Sequence, residues 1–335
     1  IIGSGTDLGG RWVRDVSERC HIEDKEALKW ILGLAIDRDR EACTITRSQE
    51  LYITDLITKY GDIIRAGHSR KYDTPLAENT VLSPSDCPVI DSPAYDEMAS
   101  RRDAYMQLVG AILWLSNITR PELSYPASQL ARFLSNPGMP HYDAAVRVLV
   151  YLHGTISDPL VYAPNVERPF EVYVDSSWLP KFSCSGALFF YMGCAFSWFS
   201  KMQKSVSLSS AEAEFFGAML AARDVLYLRD LLAEFGLTCV GRSVIYCDSK
   251  SAVQLAFDPV AFKNTKHILR ASNFLRDLVA REVFVVEHVP GVTMLADLLT
   301  KAVSRPVFLN LMRLLANYAA TGEASLSAKP ARASS

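Results

Sequence analysis

No apolar run in this chain approaches the ~20 residues that a membrane-crossing helix requires, and no secretory signal opens it. No initiator Met precedes Ile1-Ile2-Gly3-Ser4-Gly5, so the sequence reads as a piece of something longer. Its seven cysteines (20, 43, 87, 184, 194, 239, 247) are scattered, odd in number and never spaced Cys-x-x-Cys. That argues against a zinc ribbon and a disulfide framework, and it favours a reducing compartment. A basic excess is also missing. The formal net charge of −2 counts against a nucleic-acid binder unless positive charge is gathered in local patches. What the chain does have is length enough, at 335 residues, for two or three domains with real cores. Its 49% hydrophobic and 21% charged residues are an ordinary globular balance.

Along the chain, Leu28 to Asp37 reads as a strand or short helix. Gln49 to Tyr60 places apolar side chains at 51, 53, 56 and 57, near helical spacing, and Gly61 follows as a stop signal. Residues 71–100 hold Pro75, Pro84, Pro88 and Pro93 among polar residues with little periodicity, which predicts an extended linker. Helices are expected over Tyr105–Ser116 and Pro121–Leu134, the second with Pro at its favourable first-turn position. The Asn136-Pro137-Gly138 turn leads to a third helix, His141–Leu152. By themselves these helices suggest only an all-helical connector.

From Phe170 the pattern changes. Strands are predicted over Phe170–Asp175, Ala187–Met192 and Ala195–Ser200, then a long helix over Ser209–Phe235 that stops at Gly236. A strand Ser243–Asp248, a short helix Ser251–Phe257, a helix His267–Val279, a strand Val283–Val289 and a final helix Met294–Ala302 follow. This order describes an α/β unit, a mixed five-stranded sheet flanked by helices. The Ala- and Ser-rich residues 317–335 are expected to be disordered.

Two segments share a local form, Tyr173-Val174-Asp175-Ser176 and Tyr246-Cys247-Asp248-Ser249, each with an Asp at the end of a predicted strand. On adjacent parallel strands they would lie ~4.8 Å apart. Carboxylates that close repel unless a cation sits between them, and hard oxygen ligands there suit Mg²⁺ or Mn²⁺. Taken singly, each Asp could equally cap the turn after its strand; the repetition is what makes the pair a candidate site. The long helix opens Ser209-Ser210-Ala211-Glu212-Ala213-Glu214, with Ser210 suited to an N-cap and first-turn acids favouring the helix dipole. Residues two apart on a helix point about 200° apart, so only one of Glu212 and Glu214 can face a site beside the sheet. Spacing does not say which. Asp297 has the same helix-start reading, and periodicity leaves these acids open.

The stretch Ser197-Trp198 through Phe215 (SWFSKMQKSVSLSSAEAEF) resembles a signature of the pol polyprotein of Ty1/copia-type LTR retrotransposons. Ile245-Tyr246-Cys247-Asp248 with Ser251-Ala252, Thr265-Lys266-His267-Ile268, and Ala296-Asp297 with Leu299-Thr300-Lys301 are similar to further parts of it. Upstream, Tyr105-x-x-Leu108-Val109-Gly110, Thr119-Arg120-Pro121-Glu122-Leu123 and Leu130 to Pro140 resemble its connection region. The resemblance extends to about residue 312. It implies a reverse transcriptase palm end and thumb over 1–70, a linker over 71–100, a helical connection over 101–160 and a ribonuclease H-like domain over 161–316.

The implied activity is hydrolysis of the RNA strand of an RNA/DNA hybrid with two divalent ions, Mg²⁺ or Mn²⁺. Carried over one by one, Asp175 matches the first-strand acid, Glu214 the helix acid, Asp248 the fourth-strand acid and Asp297 the last acid. Glu212 would be a helix-start acid only. Ser176, Lys201, Lys204, Ser249, Lys263, Lys266 and His267 are the candidate hybrid contacts, each lysine being equally readable as a solvated surface charge. A histidine often serves near the last acid in this fold, and His288 is the nearest. The implied partners are the hybrid and the rest of the polyprotein, with no membrane and no small-molecule cofactor. The implied location is the cytoplasm, in a virus-like particle, with the nucleus as a further compartment.

Two departures stand out. Ser177 replaces a second Asp that the family usually has two residues after the first, and a basic loop before the second strand is shortened to Lys181-Phe182-Ser183-Cys184-Ser185-Gly186. The first spares the matched acid; the second removes positive charge near the hybrid. The polymerase motif Tyr-Val-Asp-Asp, which precedes Ile1-Ile2-Gly3-Ser4 in the family, does not occur, so no DNA synthesis is expected from this chain alone. The competing reading is a catalytically inactive fragment that only binds nucleic acid or protein. A second alternative is an integrase- or transposase-like enzyme, which lacks the helix acid matched by Glu214.

Overall fold

The computed structural model describes Glu18, Arg19 and residues 28–67, 71–165, 167–178, 183–204, 206, 207, 209–237, 239, 241–250 and 266–321. The N-terminal part holds β1 (Trp30–Ile31), β2 (Leu34–Asp39) and β3 (Thr44–Ser48), then α1 (Glu50–Lys59) and α2 (Gly61–Gly67). The segment from Leu28 to Asp37 is thus a hairpin rather than one element. Leu32 and Gly33 both take positive φ, the two-residue turn that joins right-twisted strands. Gly61 ends α1 as expected, yet a second helix starts on it.

The proline-bearing segment 71–100 is more structured than a linker. It contains the helix α3 (Pro93–Ala99), capped by the Ser92 side chain, and it buries Leu76, Leu82 and Met98. Isolated apolar residues without periodicity conceal such packing. Three connector helices follow: α4 (Arg102–Ile118), α5 (Ser124–Ala131) and α6 (Met139–Gly154). β4 (Leu160–Tyr162) then returns to pair antiparallel with β3, closing a four-stranded sheet in the order β1-β2-β3-β4. This strand runs across the expected boundary at 160/161.

The second sheet is mixed and five-stranded. Its strands are β5 (Glu171–Ser177), β6 (Cys184–Tyr191), β7 (Cys194–Met202), β8 (Ser243–Cys247) and β9 (Phe284–His288), in the order β7-β6-β5-β8-β9. Strands β5, β6 and β7 are antiparallel neighbours, whereas β8 and β9 run parallel to β5. Met192-Gly193, at positive φ, makes the tight turn between β6 and β7. The helices α7 (Ser210–Glu234) and α8 (Lys266–Ala280) complete the flank. This is the α/β arrangement expected from the pattern after Phe170. The predicted short helix Ser251–Phe257 lies outside the described residues.

Alternation along the strands sends side chains to two cores. Val172, Val174, Ala187, Phe189 and Ile245 face α7 and α8, while Tyr173, Leu188, Phe190 and Tyr246 join a larger core with the connector helices. A sheet covered on both faces explains why its strands are almost continuously apolar. Two corrections fall at the C-terminal end. Met294–Ala302 is not an α-helix; a 3₁₀ turn at Gly291–Thr293 precedes it, and within it only Leu295–Leu299 winds, again as a 3₁₀ turn. The last helix, α9 (Arg305–Thr321), comes after them and runs past the expected start of a tail, with Tyr318 buried. Residues from 322 onward lie outside the described set. No helix among the described residues is long and apolar enough to cross a membrane.

Candidate active site

The parallel register of β5 and β8 pairs Tyr173 with Tyr246. Two residues further on, the same register sets Asp175 opposite Asp248. Asp175 is near the end of the central strand and buried, at 2% exposure, while Asp248 is the first residue after β8. Asp297 arrives on the 3₁₀ turn Leu295–Leu299. One carboxylate oxygen from each of Asp175, Asp248 and Asp297 lies within 4.8 Å of the others. Glu214, in the opening turns of α7, forms a second such group with Asp248 and the Cys247 sulfur, also within 4.8 Å. Asp248 belongs to both groups.

Two glycines permit this convergence. A Cβ on Gly186 would stand 2.6 Å from Leu299 Cβ and 2.8 Å from Thr300 Cγ2, so only glycine lets the turn bearing Asp297 lie on β6. A Cβ on Gly217 would stand 2.3 Å from Ser176 Oγ, so α7 can press on β5 and bring Glu214 to the strand ends. The N-cap of α7 is Ser209, whose side chain accepts from Glu212 N–H, and Ser210 is the first helical residue. Glu212 is therefore the first-turn acid, and Glu214 is the one turned toward Asp175 and Asp248.

Crowded, buried acids hold their protons tightly. Burial, then Asp175 and Asp248, push the Glu214 carboxyl up to about 9. Burial, then Asp175, push Asp297 up to about 7, against the pull of Lys301. Asp248 is raised by burial and by Asp175. The Cys247 thiol is raised too, by burial and then Glu214; it lies 4.0 Å from Glu214 Oε2 as a protonated donor rather than a thiolate.

The 299–301 segment adds two groups that motif reading left without a role. Thr300 Oγ1 donates to Asp175 Oδ2. Lys301 Nζ lies 2.9 Å from Asp297 Oδ1 and 3.4 Å from Asp175 Oδ2. The four-residue spacing from Asp297 to Lys301 was the available signal, since such spacing pairs opposite charges on a turn. Ser177, which stands where a second Asp was expected, donates to the Thr300 carbonyl at 2.9 Å.

The other candidate contacts fall in different places. Lys201 and Lys204 are exposed, Lys201 with its ammonium 4.5 Å from the Phe199 ring centre. Ser249 is half-buried after Asp248. Ser176 is not a surface contact: it is buried, and its hydroxyl is shared with Ser185 at 2.8 Å, because its place in the strand turns it toward α7. Lys263 and the side chains of Lys266 and His267 lie outside the described residues, as do Lys181 and Phe182 of the shortened loop. His288 ends β9, exposed and close enough to Asp248 to act on its charge.

No family model matches the chain. It is 31% identical over 312 residues to the retrovirus-related Pol polyprotein from transposon TNT 1-94 of Nicotiana tabacum, covering 92% of this chain and 23% of that protein. To the corresponding polyprotein from transposon RE1 of Arabidopsis thaliana it is 30% identical over 314 residues, covering 92% and 20%. The chain thus spans about a fifth of the length of the curated relatives it matches. Among solved structures, LC11-RNase H1 in complex with RNA/DNA hybrid is similar at 15% identity and a TM-score of 0.32, over 39% of this chain and 93% of that one.

Proposed function

This chain belongs to the retrovirus-related Pol polyproteins of Ty1/copia-type transposons, and from that membership we propose that its C-terminal unit hydrolyses the RNA strand of an RNA/DNA hybrid with divalent cations. The observation that carries the reading is the approach of Asp175, Asp248 and Asp297 within 4.8 Å, with Glu214 joined to them through Asp248. The donors fit the ions. They are hard carboxylate oxygens, and burial followed by mutual repulsion raises their proton affinities, a cost that a bound cation would relieve.

In this reading Asp175, on the central strand, would serve both of two Mg²⁺ or Mn²⁺ ions, with Glu214, Asp248 and Asp297 completing their ligands. When bound, such ions would supply activation of an attacking water and stabilisation of a departing 3′ oxygen. Around them, Thr300 orients Asp175, and the close packing at Gly186 and Gly217 holds the acid-bearing elements in register. Hydrolysis adds water across the P–O3′ bond, so one strand is left with a 3′-hydroxyl and the other piece with a 5′-phosphate. Lys201, Lys204, Ser249, Lys263, Lys266 and His267 are the proposed contacts to the hybrid. Residues 1–70 belong, in this reading, to a palm end and thumb, and 101–160 to the connection. The rest of the polyprotein is the working partner.

Cleavage of an end-labelled RNA/DNA hybrid in Mg²⁺ or Mn²⁺ tests the reading. The Asp248→Asn protein should cut at least ~100-fold more slowly, since a lost ion ligand costs more than the 10–100-fold typical of a supporting residue. Equal cutting by the two proteins would sink the assignment of cleavage to these acids, and no cutting by either would leave an inert binding fragment.

A further inference from the structure

We propose that Lys301 is an internal counter-ion of the acid cluster, competing with divalent cations for Asp175 and Asp297 and so setting how tightly the site holds them. The inference rests on the reading of the four acids as cation ligands. Its ammonium lies 2.9 Å from Asp297 Oδ1 and 3.4 Å from Asp175 Oδ2, two of the three acids whose oxygens converge. Both carboxylates are buried, whereas the lysine side chain remains 40% exposed, so it meets the cluster from the surface side.

The local structure delivers the ammonium to that position. Lys301 N–H donates to the Asp297 carbonyl at 3.2 Å, which winds the two residues onto one side of the turn. Thr300 is tied at both ends, its hydroxyl to Asp175 and its carbonyl to Ser177. Leu299 and Thr300 pack directly over Gly186, where a side chain would not fit. Burial alone would weaken the lysine's hold on its proton, but Asp175 and Asp297 more than reverse this, so it stays charged.

An ammonium held against two of the acids competes with a divalent ion for their negative charge, and at such separations like charges repel strongly in a partly dry site. The same ammonium cancels part of the repulsion among the acids. Removing its charge therefore has two opposite effects: tighter cation binding, and a less stable protein when cations are withheld.

The test uses the full chain as wild type, Lys301→Met, Lys301→Arg and Asp248→Asn. Mn²⁺ binding is read by titration calorimetry and by the spin-resonance signal of free Mn²⁺, and thermal unfolding is read in EDTA. Lys301→Met should bind Mn²⁺ at least about tenfold more tightly than wild type and melt at a lower temperature in EDTA, while Lys301→Arg keeps the wild-type affinity. If Lys301→Met does not fold, Lys301→Gln carries the same comparison. Equal or weaker Mn²⁺ binding by the folded, uncharged variant overturns the proposal while leaving the acids as ligands. If wild type binds no Mn²⁺, or Asp248→Asn binds it as wild type does, the ligand reading falls and the counter-ion role falls with it.

Discussion

Glu214 and Asp297 bind protons more tightly than carboxylates in water, because burial and neighbouring acids penalise their charged forms. A group whose proton affinity rises on folding adds stability that is complete below its ordinary value and is lost as the pH climbs through its raised one. In EDTA, the melting temperature should therefore fall as the pH rises from 4.5, Glu214's ordinary value, through about 7 for Asp297 to about 9 for Glu214. Glu214→Gln should flatten the upper part of that decline. Scanning calorimetry across the range checks it, and a melting temperature independent of pH would contradict the crowding of these acids. That Asp175 and Asp248 end strands was legible from their repeated local form. The choice between Glu212 and Glu214 was not legible in the spacing, since it depends on the rotation of α7 about its axis; the family likeness indicated Glu214.

At the scale of elements, the site depends on two close approaches rather than on the acids alone. Gly186→Ala puts a methyl 3.1 Å from the Leu299 carbonyl carbon and closer still to two side chains, so the turn carrying Asp297 must lift. A loss of about 1–3 kcal/mol in stability is expected for such overpacking, measured by urea unfolding, together with slower hybrid cleavage. Gly217→Ala meets Ser176 Oγ at 2.3 Å but Ser176 Cβ at an ordinary 3.5 Å. Its cost should shrink in a Ser176→Ala background, and a double-mutant cycle that proves additive would refute the clash. The strands and α7 could be read from the sequence because their apolar runs are long and bounded by turn residues. The 3₁₀ segment could not, because Leu295, Ala296, Leu298 and Leu299 are all buried and so leave no helical face to detect.

At the scale of the whole molecule, the helical connector and the five-stranded sheet share one core. Tyr105, Leu108, Leu149, Tyr173, Phe190, Leu311 and Tyr318 all belong to it. The C-terminal helix α9 supplies the join: the Tyr318 ring lies 4.1 Å from that of Phe190, and its hydroxyl accepts from Arg168 at 2.8 Å. Arg168 is in turn paired with buried Glu171 at 2.8 Å. A fragment of residues 161–316 breaks β4 from its sheet neighbour, drops Tyr318 and bares the connector face. It should unfold at lower urea than the full chain. Tyr318→Ala in the full chain should cost about 3–5 kcal/mol, as for other large buried aromatics, and a loss below 1 kcal/mol would mean that α9 is not holding the sheet to the connector.

Local pattern was enough to determine the five strands after Phe170, the long helix α7 and the pair of aspartates at strand ends. Alternation, apolar runs and turn residues are written in consecutive positions, and they bias the backbone wherever the segment finally packs. Only the tertiary structure decided that Ser176 points inward, that Leu295–Leu299 winds as a 3₁₀ turn, and that Thr300 and Lys301 reach Asp175 from 125 residues away in the case of Thr300. Those outcomes depend on the phase of one element against another and on gaps left by two glycines. Such quantities belong to the assembled core and to no stretch of chain taken alone.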